Sequence, residues 1–231
     1  AGSSEAAMTP TGVAGFTNMT AISSSGVSRP FDAGRDGFVM AEGAAVLILE
    51  ERGRALARGA PVYAEICGFG LTNDAHHMTA PRPDGRQAAR AIRIALSEAH
   101  VEPREIGYIN AHGSSTPLND PTENGSIKQV FGDHAGRLAL SGTKGYFGHA
   151  LGASGAIEAA ICALASRRGW VPPTVNLEDL DPACDLAHQT TGDSKASRYL
   201  GDHLASFLPA GLVSLWALRC LPEPEPACHP L

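Results

Sequence analysis

Continuous apolar runs alternate along this chain with stretches in which apolar residues recur at helical spacing, and short Gly, Asn and Pro breaks separate the two. From Arg29 to Asp181 this texture predicts an α/β protein. AAVLILEE (44–51) is unbroken in its apolar character, which predicts a strand covered on both faces. VYAEICGFG (62–70), IGYINA (106–111) and LALSG (138–142) are predicted as further strands. Between Gly85 and His100, the residues Ala88, Ala89, Ile92, Ala95, Leu96 and Ala99 fall on one face, and Arg86, Arg90, Arg93 and Glu98 surround the remainder. That is the pattern of an amphipathic helix. A second helix is predicted from Pro121 to about Phe131, with Asp120 as N-cap, Pro121 at the first helical position and Glu123 in the capping-box place. A third, from Ala150 to Arg167, carries Glu158 as its only charge before the terminal arginines and should be buried nearly all round.

The two ends depart from this texture. AGSSEAAMTP begins on Ala and reads like the middle of a strand-to-loop segment, so a truncated N-terminus is expected. After about Leu186 the periodicity lapses into a polar stretch, then the apolar run LASFLPAGLVSLWALRCL, then a Pro-rich close. The apolar run contains Pro209 and falls short of the roughly 20 residues of a bilayer-spanning helix. No membrane partner is expected.

Composition narrows the classes further. At 231 residues and 43% hydrophobic content the chain can bury a real core in one large or two small domains, which excludes disorder and collagen-like repetition. A net charge of -6 repels phosphate backbones and anionic membrane surfaces, so no nucleic-acid partner is expected. The five cysteines (67, 162, 184, 220, 228) are odd in number, lack CxxC spacing and follow no secretory leader. Neither a disulfide framework nor a zinc site is suggested, and a reducing, cytoplasmic compartment is expected.

Ligands of open α/β sheets collect beyond the carboxyl ends of strands. Two segments qualify here. Asn110-Ala-His-Gly-Ser-Ser-Thr116 sets His112 just past its strand and follows it with three hydroxyl side chains; Ser141-Gly-Thr-Lys-Gly-Tyr-Phe-Gly-His149 sets Lys144 in a loop and His149 before a long helix. The positive end of a helix dipole disfavours imidazolium, and a neutral imidazole can donate N–H to a carbonyl. Two such rings beside a fixed positive charge suit a developing enolate or oxyanion. The plainer alternative, a histidine that only satisfies local backbone, carries even weight for each ring, and Lys144 taken singly reads as a solvated loop lysine. Gly68-Phe-Gly70 lacks the third glycine of a dinucleotide fingerprint, Gly152-Ala-Ser154-Gly155-Ala156 misses the nucleophile-elbow pattern, and no carboxylate or thiolate completes a metal set around the histidines.

Taken together, NAHGSSTPLND and SGTKGYFGHALGASGAIEA resemble the C-terminal half of the elongating β-ketoacyl-[acyl carrier protein] synthases, within the thiolase superfamily. SRPFDAGRDGFVMAEGAAVLILEE and YAEICGFGLTNDAHHMTAP upstream, and VPPTVNLEDLDPACDL downstream, fit the same order, so the resemblance runs from about Ser4 to Leu186. It implies the layered α/β/α/β/α thiolase-like fold, with residues 1–57 a remnant of the first half, 58–186 most of the second, and 187–231 an unmatched tail, frame-shifted or disordered. It also implies fatty-acid synthesis by decarboxylative Claisen condensation: an acyl chain is held on a cysteine, and a malonyl thioester on acyl carrier protein loses CO₂ and attacks it. His112 and His149 match the paired histidines that bind the malonyl thioester carbonyl. Lys144 matches the lysine that supports them, and Glu123 an acidic residue that orders the site. Thr79, Ser114 and Thr116 match hydroxyl positions of the pantetheine tunnel, Ser114 standing where the family usually has threonine. His77 falls beside that tunnel and His76 is a bystander. The family needs no resident cofactor or metal, since its substrates ride on the phosphopantetheine of acyl carrier protein, and its members are homodimers.

Two departures bear on activity. The family's nucleophilic cysteine lies upstream of the segment matched by AGSSEAAMTP, and none of the five cysteines here takes its place. Residues 187–231 also lack the Asn-Ser-Phe-Gly-Phe-Gly-Gly segment that supplies an oxyanion-hole N–H. Without a thiolate no acyl-enzyme forms, so these 231 residues alone are expected not to condense. A polyketide-type ketosynthase shares the histidine and lysine motifs and stands as an alternative, as does a non-catalytic ketosynthase-like partner or fragment. A degradative thiolase fits less well, because that branch normally uses a second cysteine where histidines stand here.

Overall fold

The computed structural model describes residues 1–190, 202–207 and 212–219. β1 (Gly2–Glu5) leads through α1 (Pro10–Asn18) to β2 (Gly43–Val46), and the two strands pair antiparallel. After α2 (Arg52–Ala57) come β3 (Glu65–Asn73), α3 (Arg86–Ala99), β4 (Ile106–Ala111), α4 (Asn119–Phe131), β5 (Ala139–Gly142), α5 (Lys144–Phe147) and α6 (Ser154–Arg168). β6 (Asp202–Phe207) and β7 (Leu212–Arg219) complete a five-stranded sheet in the order β3-β7-β6-β4-β5. β4 runs parallel to β5 and β6, whereas β7 is antiparallel to both of its neighbours.

Helices cover both faces of this sheet. On one, Ile92, Leu96 and Ala99 of α3 and Ile127 and Phe131 of α4 pack with Ile106 and Ile109 of β4. On the other, Cys162 and Ala165 of α6 meet Tyr108, Ala139 and Leu218. Adjacent residues Tyr108 and Ile109 thus point to opposite layers, as a pleated strand requires. α3 rests unusually close to β3. A Cβ on Gly68 would stand 2.2 Å from the Ala95 carbonyl oxygen, and one on Gly70 2.0 Å from that of Ala91, so these glycines serve helix-on-strand packing.

Several expectations are corrected by tertiary context. Of the run 44–51 only 44–46 is strand, in a two-stranded sheet; Val46 is exposed because only one side of β2 meets α6, and Ile48 and Leu49 are exposed beyond the strand's end. α4 starts at Asn119, so Asp120 lies inside the helix instead of capping it; its buried carboxylate accepts the Phe31 N–H at 2.8 Å. The last helix opens with a 3-10 turn at Leu151–Ala153 and buries one stripe, Ser154, Glu158, Ala159, Cys162, Ala165 and Ser166, leaving other positions such as Leu164 open. Within the tail read as frame-shifted or disordered, the disordered alternative is corrected for 202–207 and 212–219, which are strands whose backbones complete the ladder between β3 and β4. The rest of that tail beyond residue 190 lies outside the described residues. Among the described residues, no helix is long and apolar enough to cross a membrane.

Candidate active site

The loop leaving β4 turns back through left-handed backbone at Gly113 (φ 46°) and Ser115 (φ 66°). Glu123 of α4 holds it: Oε1 accepts the His112 N–H at 2.7 Å and Oε2 the Gly113 N–H at 3.0 Å. The capping-box reading of Glu123 is therefore replaced. Its carboxylate serves the loop that carries His112, not the N-terminus of its own helix. Burial pushes the Glu123 carboxyl above its ordinary range, and the two amides pull it back.

Lys144 is fully buried, which corrects its reading as a solvated loop residue. It opens the short helix α5, and its Nζ donates to the His112 carbonyl at 2.6 Å and to Glu158 of α6. Glu158 was not singled out as a partner in the sequence. Its signal was there, a lone carboxylate in an otherwise apolar helical stretch facing a strand-end lysine. Burial raises the Glu158 carboxyl to about 7, against the opposing pull of Lys144.

His149 is held by a segment more than one hundred residues earlier in the chain. Its N–H donates to the Val39 carbonyl at 2.7 Å, its carbonyl accepts the Ala41 N–H at 3.0 Å, and its ring meets Phe38 edge-on at 5.0 Å. The ring Nδ1 accepts the Leu151 N–H at 3.0 Å, with the Ser154 hydroxyl at 3.2 Å. The neutral ring therefore carries its hydrogen on Nε2. The His112 and His149 rings stand 5.0 Å apart, nearly perpendicular. Both are held well below the ordinary imidazole range, by burial first and then by the Lys144 charge; for His112 the neighbouring His149 adds to this. Burial, more than the helix dipole expected from the sequence, keeps them neutral.

A cavity of about 490 Å³ joins the predicted residues. His112, His149, Glu123, Thr79, Ser114 and Thr116 all line it, and Phe16, Phe38 and Leu151 add apolar wall. The Ser114 and Thr116 hydroxyls are 2.9 Å apart. Lys144 lies behind the wall, and the exposed His77 and His76 are not among the lining residues. Among the described residues no thiol lines it either: Cys67 sits on β3, and burial raises the thiols of Cys162 and Cys184, the latter to about 12.

The family model described as "Beta-ketoacyl synthase, C-terminal domain" matches residues 63–178, and that described as "Beta-ketoacyl synthase, N-terminal domain" matches residues 1–55. The chain belongs to the beta-ketoacyl synthase family. Among curated beta-ketoacyl synthase relatives, 3-oxoacyl-[acyl-carrier-protein] synthase 2 of Synechocystis sp. is 52% identical over 84% of this chain and 48% of its own length. The protein of the same name from Coxiella burnetii is 49% identical over 80% and 46% respectively. The chain thus spans about half the length of the curated relatives it matches. A beta-ketoacyl synthase from Burkholderia phymatum is 38% identical over 96% of this chain and 54% of its own, with a TM-score of 0.88. A type II PKS ketosynthase, solved in complex with its acyl-carrier protein and bound to the hexaketide, is 37% identical over 95% and 55%, with a TM-score of 0.90. The fold is the thiolase-like α/β fold of the ketosynthases.

Proposed function

We propose that this chain carries the decarboxylation half of a fatty-acid-elongating 3-oxoacyl-[acyl carrier protein] synthase. The malonyl thioester arrives on the phosphopantetheine of acyl carrier protein, and the cavity takes the pantetheine arm, with Thr79, Ser114 and Thr116 as polar contacts. His149, through Nε2–H, and His112 donate to the thioester carbonyl. The malonyl C–C bond breaks, CO₂ leaves, and the electron pair enters an enolate whose oxygen the two rings stabilise. The enolate carbon then attacks the acyl thioester of an enzyme cysteine and expels its thiolate. That cysteine is placed outside the described residues, and no resident cofactor or metal takes part. Lys144 and Glu123 hold His112 by its backbone. Residues 1–57 and 58–186 are read as parts of the two family halves, and a homodimer in the cytoplasm as the working form of the whole protein.

The observation that carries this reading is the pair of neutral imidazoles 5.0 Å apart on one cavity wall, beside hydroxyls at its side. The fatty-acid reading is preferred to the polyketide one because the 3-oxoacyl-[acyl-carrier-protein] synthase 2 relative is 52% identical and the type II PKS neighbour 37%. Release of CO₂ from a malonyl-pantetheine thioester tests it. The 231-residue chain should exceed the uncatalysed rate and its H112A variant should not; equal release from chain and buffer would overturn the reading.

A further inference from the structure

His77 has no part in the chemistry above, yet its Nδ1 accepts two successive backbone amides, Thr79 N–H and Ala80 N–H, each at 3.1 Å. The Thr79 hydroxyl lies 3.5 Å from the same nitrogen. The ring is exposed, so packing does not account for its place. Thr79 and Pro81, just beyond it, line the cavity.

An acceptor on residue i that receives the N–H groups two and three residues later is what Asn and Asp provide with Oδ1 in an Asx turn. In histidine, Nδ1 hangs from Cγ as Oδ1 does in Asn, so the imidazole can take that role. The segment between β3 and α3, residues 74–85, belongs to no helix or strand and is fastened in the same style, beginning from Asn73 at the end of β3. Asn73 Oδ1 accepts the Ala75 N–H at 2.8 Å, where Ala75 is in left-handed backbone (φ 44°), and Asp74 Oδ2 accepts the Arg82 N–H at 2.8 Å. Side-chain acceptors thus shape this wall of the cavity where secondary structure does not, and His77 supplies the one at Thr79.

We infer that His77 is a positioning residue: it acts as an Asx-turn surrogate that holds Thr79 in the cavity wall for a pantetheine arm. The inference rests on the reading of the cavity as a pantetheine site. It requires an acceptor one bond beyond Cγ, not an imidazole as such. His77→Asn therefore keeps the function, and His77→Ala loses it. His77→Gln loses it too, since its amide oxygen sits one bond further out.

The test uses the 231-residue chain, with amide hydrogen exchange at Thr79 and Ala80 and an NMR titration with pantetheine. H77A and H77Q should speed exchange at these two amides about tenfold and weaken pantetheine binding about fivefold, as a smaller ordered fraction demands. H77N should restore both; two loss variants keep the comparison alive if one does not fold. Unchanged exchange in H77A and H77Q, faster exchange with unchanged affinity, or H77N behaving like H77A would each overturn the inference alone. A wild-type chain that binds no pantetheine would instead remove the reading of the cavity, and this inference with it.

Discussion

The Lys144 ammonium donates to the backbone carbonyl of His112 at 2.6 Å while standing behind the cavity wall, with no exposed surface of its own. It acts on the site through the backbone and through its charge, and Glu158 balances that charge from α6. Removing one member of a buried ion pair strands the other, at a cost of about 3–5 kcal/mol. K144M should therefore lower stability by about 3 kcal/mol in urea unfolding at pH 8, with Glu158 left uncompensated. Adding E158L should recover at least half of the loss without restoring CO₂ release, since the His112 carbonyl still lacks its donor. A double variant no more stable than K144M would mean that the pair is not coupled.

Local pattern was enough for the elements that build the site. IGYINA is β4 residue for residue, and the helix read between Gly85 and His100 is α3. In each, period and boundary residues act within a few positions of one another. The lone carboxylate of Glu158 was legible but its pairing with Lys144 was not, and neither was the seating of His149 on Val39 and Ala41, because both join separate elements that only the tertiary fold brings together. Composition misled at Val46 and Ile48: apolar character says neither which face a two-stranded sheet leaves open, as at Val46, nor where the strand stops, as before Ile48. His112, His149, Thr79, Ser114 and Thr116 converge on one cavity; the strand ends pointed to the two segments that carry His112 and His149, whereas Thr79 was reached only through the family resemblance.

Gly70 offers a test of the packing that sets the α3 wall. Its missing Cβ would stand 2.0 Å from the Ala91 carbonyl oxygen and 3.1 Å from the Ala95 nitrogen, both helix backbone that cannot swing aside. G70A should force α3 away from β3 and cost about 3 kcal/mol in urea unfolding, the upper part of the range for overpacking. Since Ala88 of α3 also lines the cavity, the variant should bind pantetheine more weakly too. Unfolding midpoints within error of wild type would show that the helix is free to shift.

Acid should destabilise the fold through buried neutral histidines. His188 stacks on Phe31 with ring centroids 4.0 Å apart, donates from Nε2 to the Cys184 carbonyl at 3.1 Å, and is lowered by burial to about 4. His112 and His149 are lowered as well. As pH falls the unfolded chain takes up these protons first, near 6.5. The stabilisation is therefore whole above about pH 6.5 and is lost as pH falls toward 4. For His188 alone the loss is about 3 kcal/mol. H188F keeps the stacked ring but gives up the hydrogen bond and the titration. It should be less stable than wild type by about 1 kcal/mol at pH 7.5 and decline less steeply to pH 4.5. Parallel declines in urea midpoint would remove His188 from the account.

The tautomer of His149 separates chemistry from backbone satisfaction. With Nδ1 taken by the Leu151 N–H, only Nε2–H is left to meet a thioester carbonyl. H149A removes that donor, and loss of one preorganised donor to a developing oxyanion costs about a hundredfold in rate or more. H149Q can place an amide N–H near the position of Nε2 and should keep a measurable part of the CO₂ release that H149A loses. Because the Gln amide does not reproduce the Nδ1 acceptor, the two functions of the ring come apart in this one comparison. A fall in unfolding midpoint shared by both variants, with release retained only in H149Q, would assign the midpoint to Leu151 and the rate to Nε2. Equal release from wild type and H149A would mean that the imidazole does no more than satisfy the Leu151 amide, and the enolate would then need another donor.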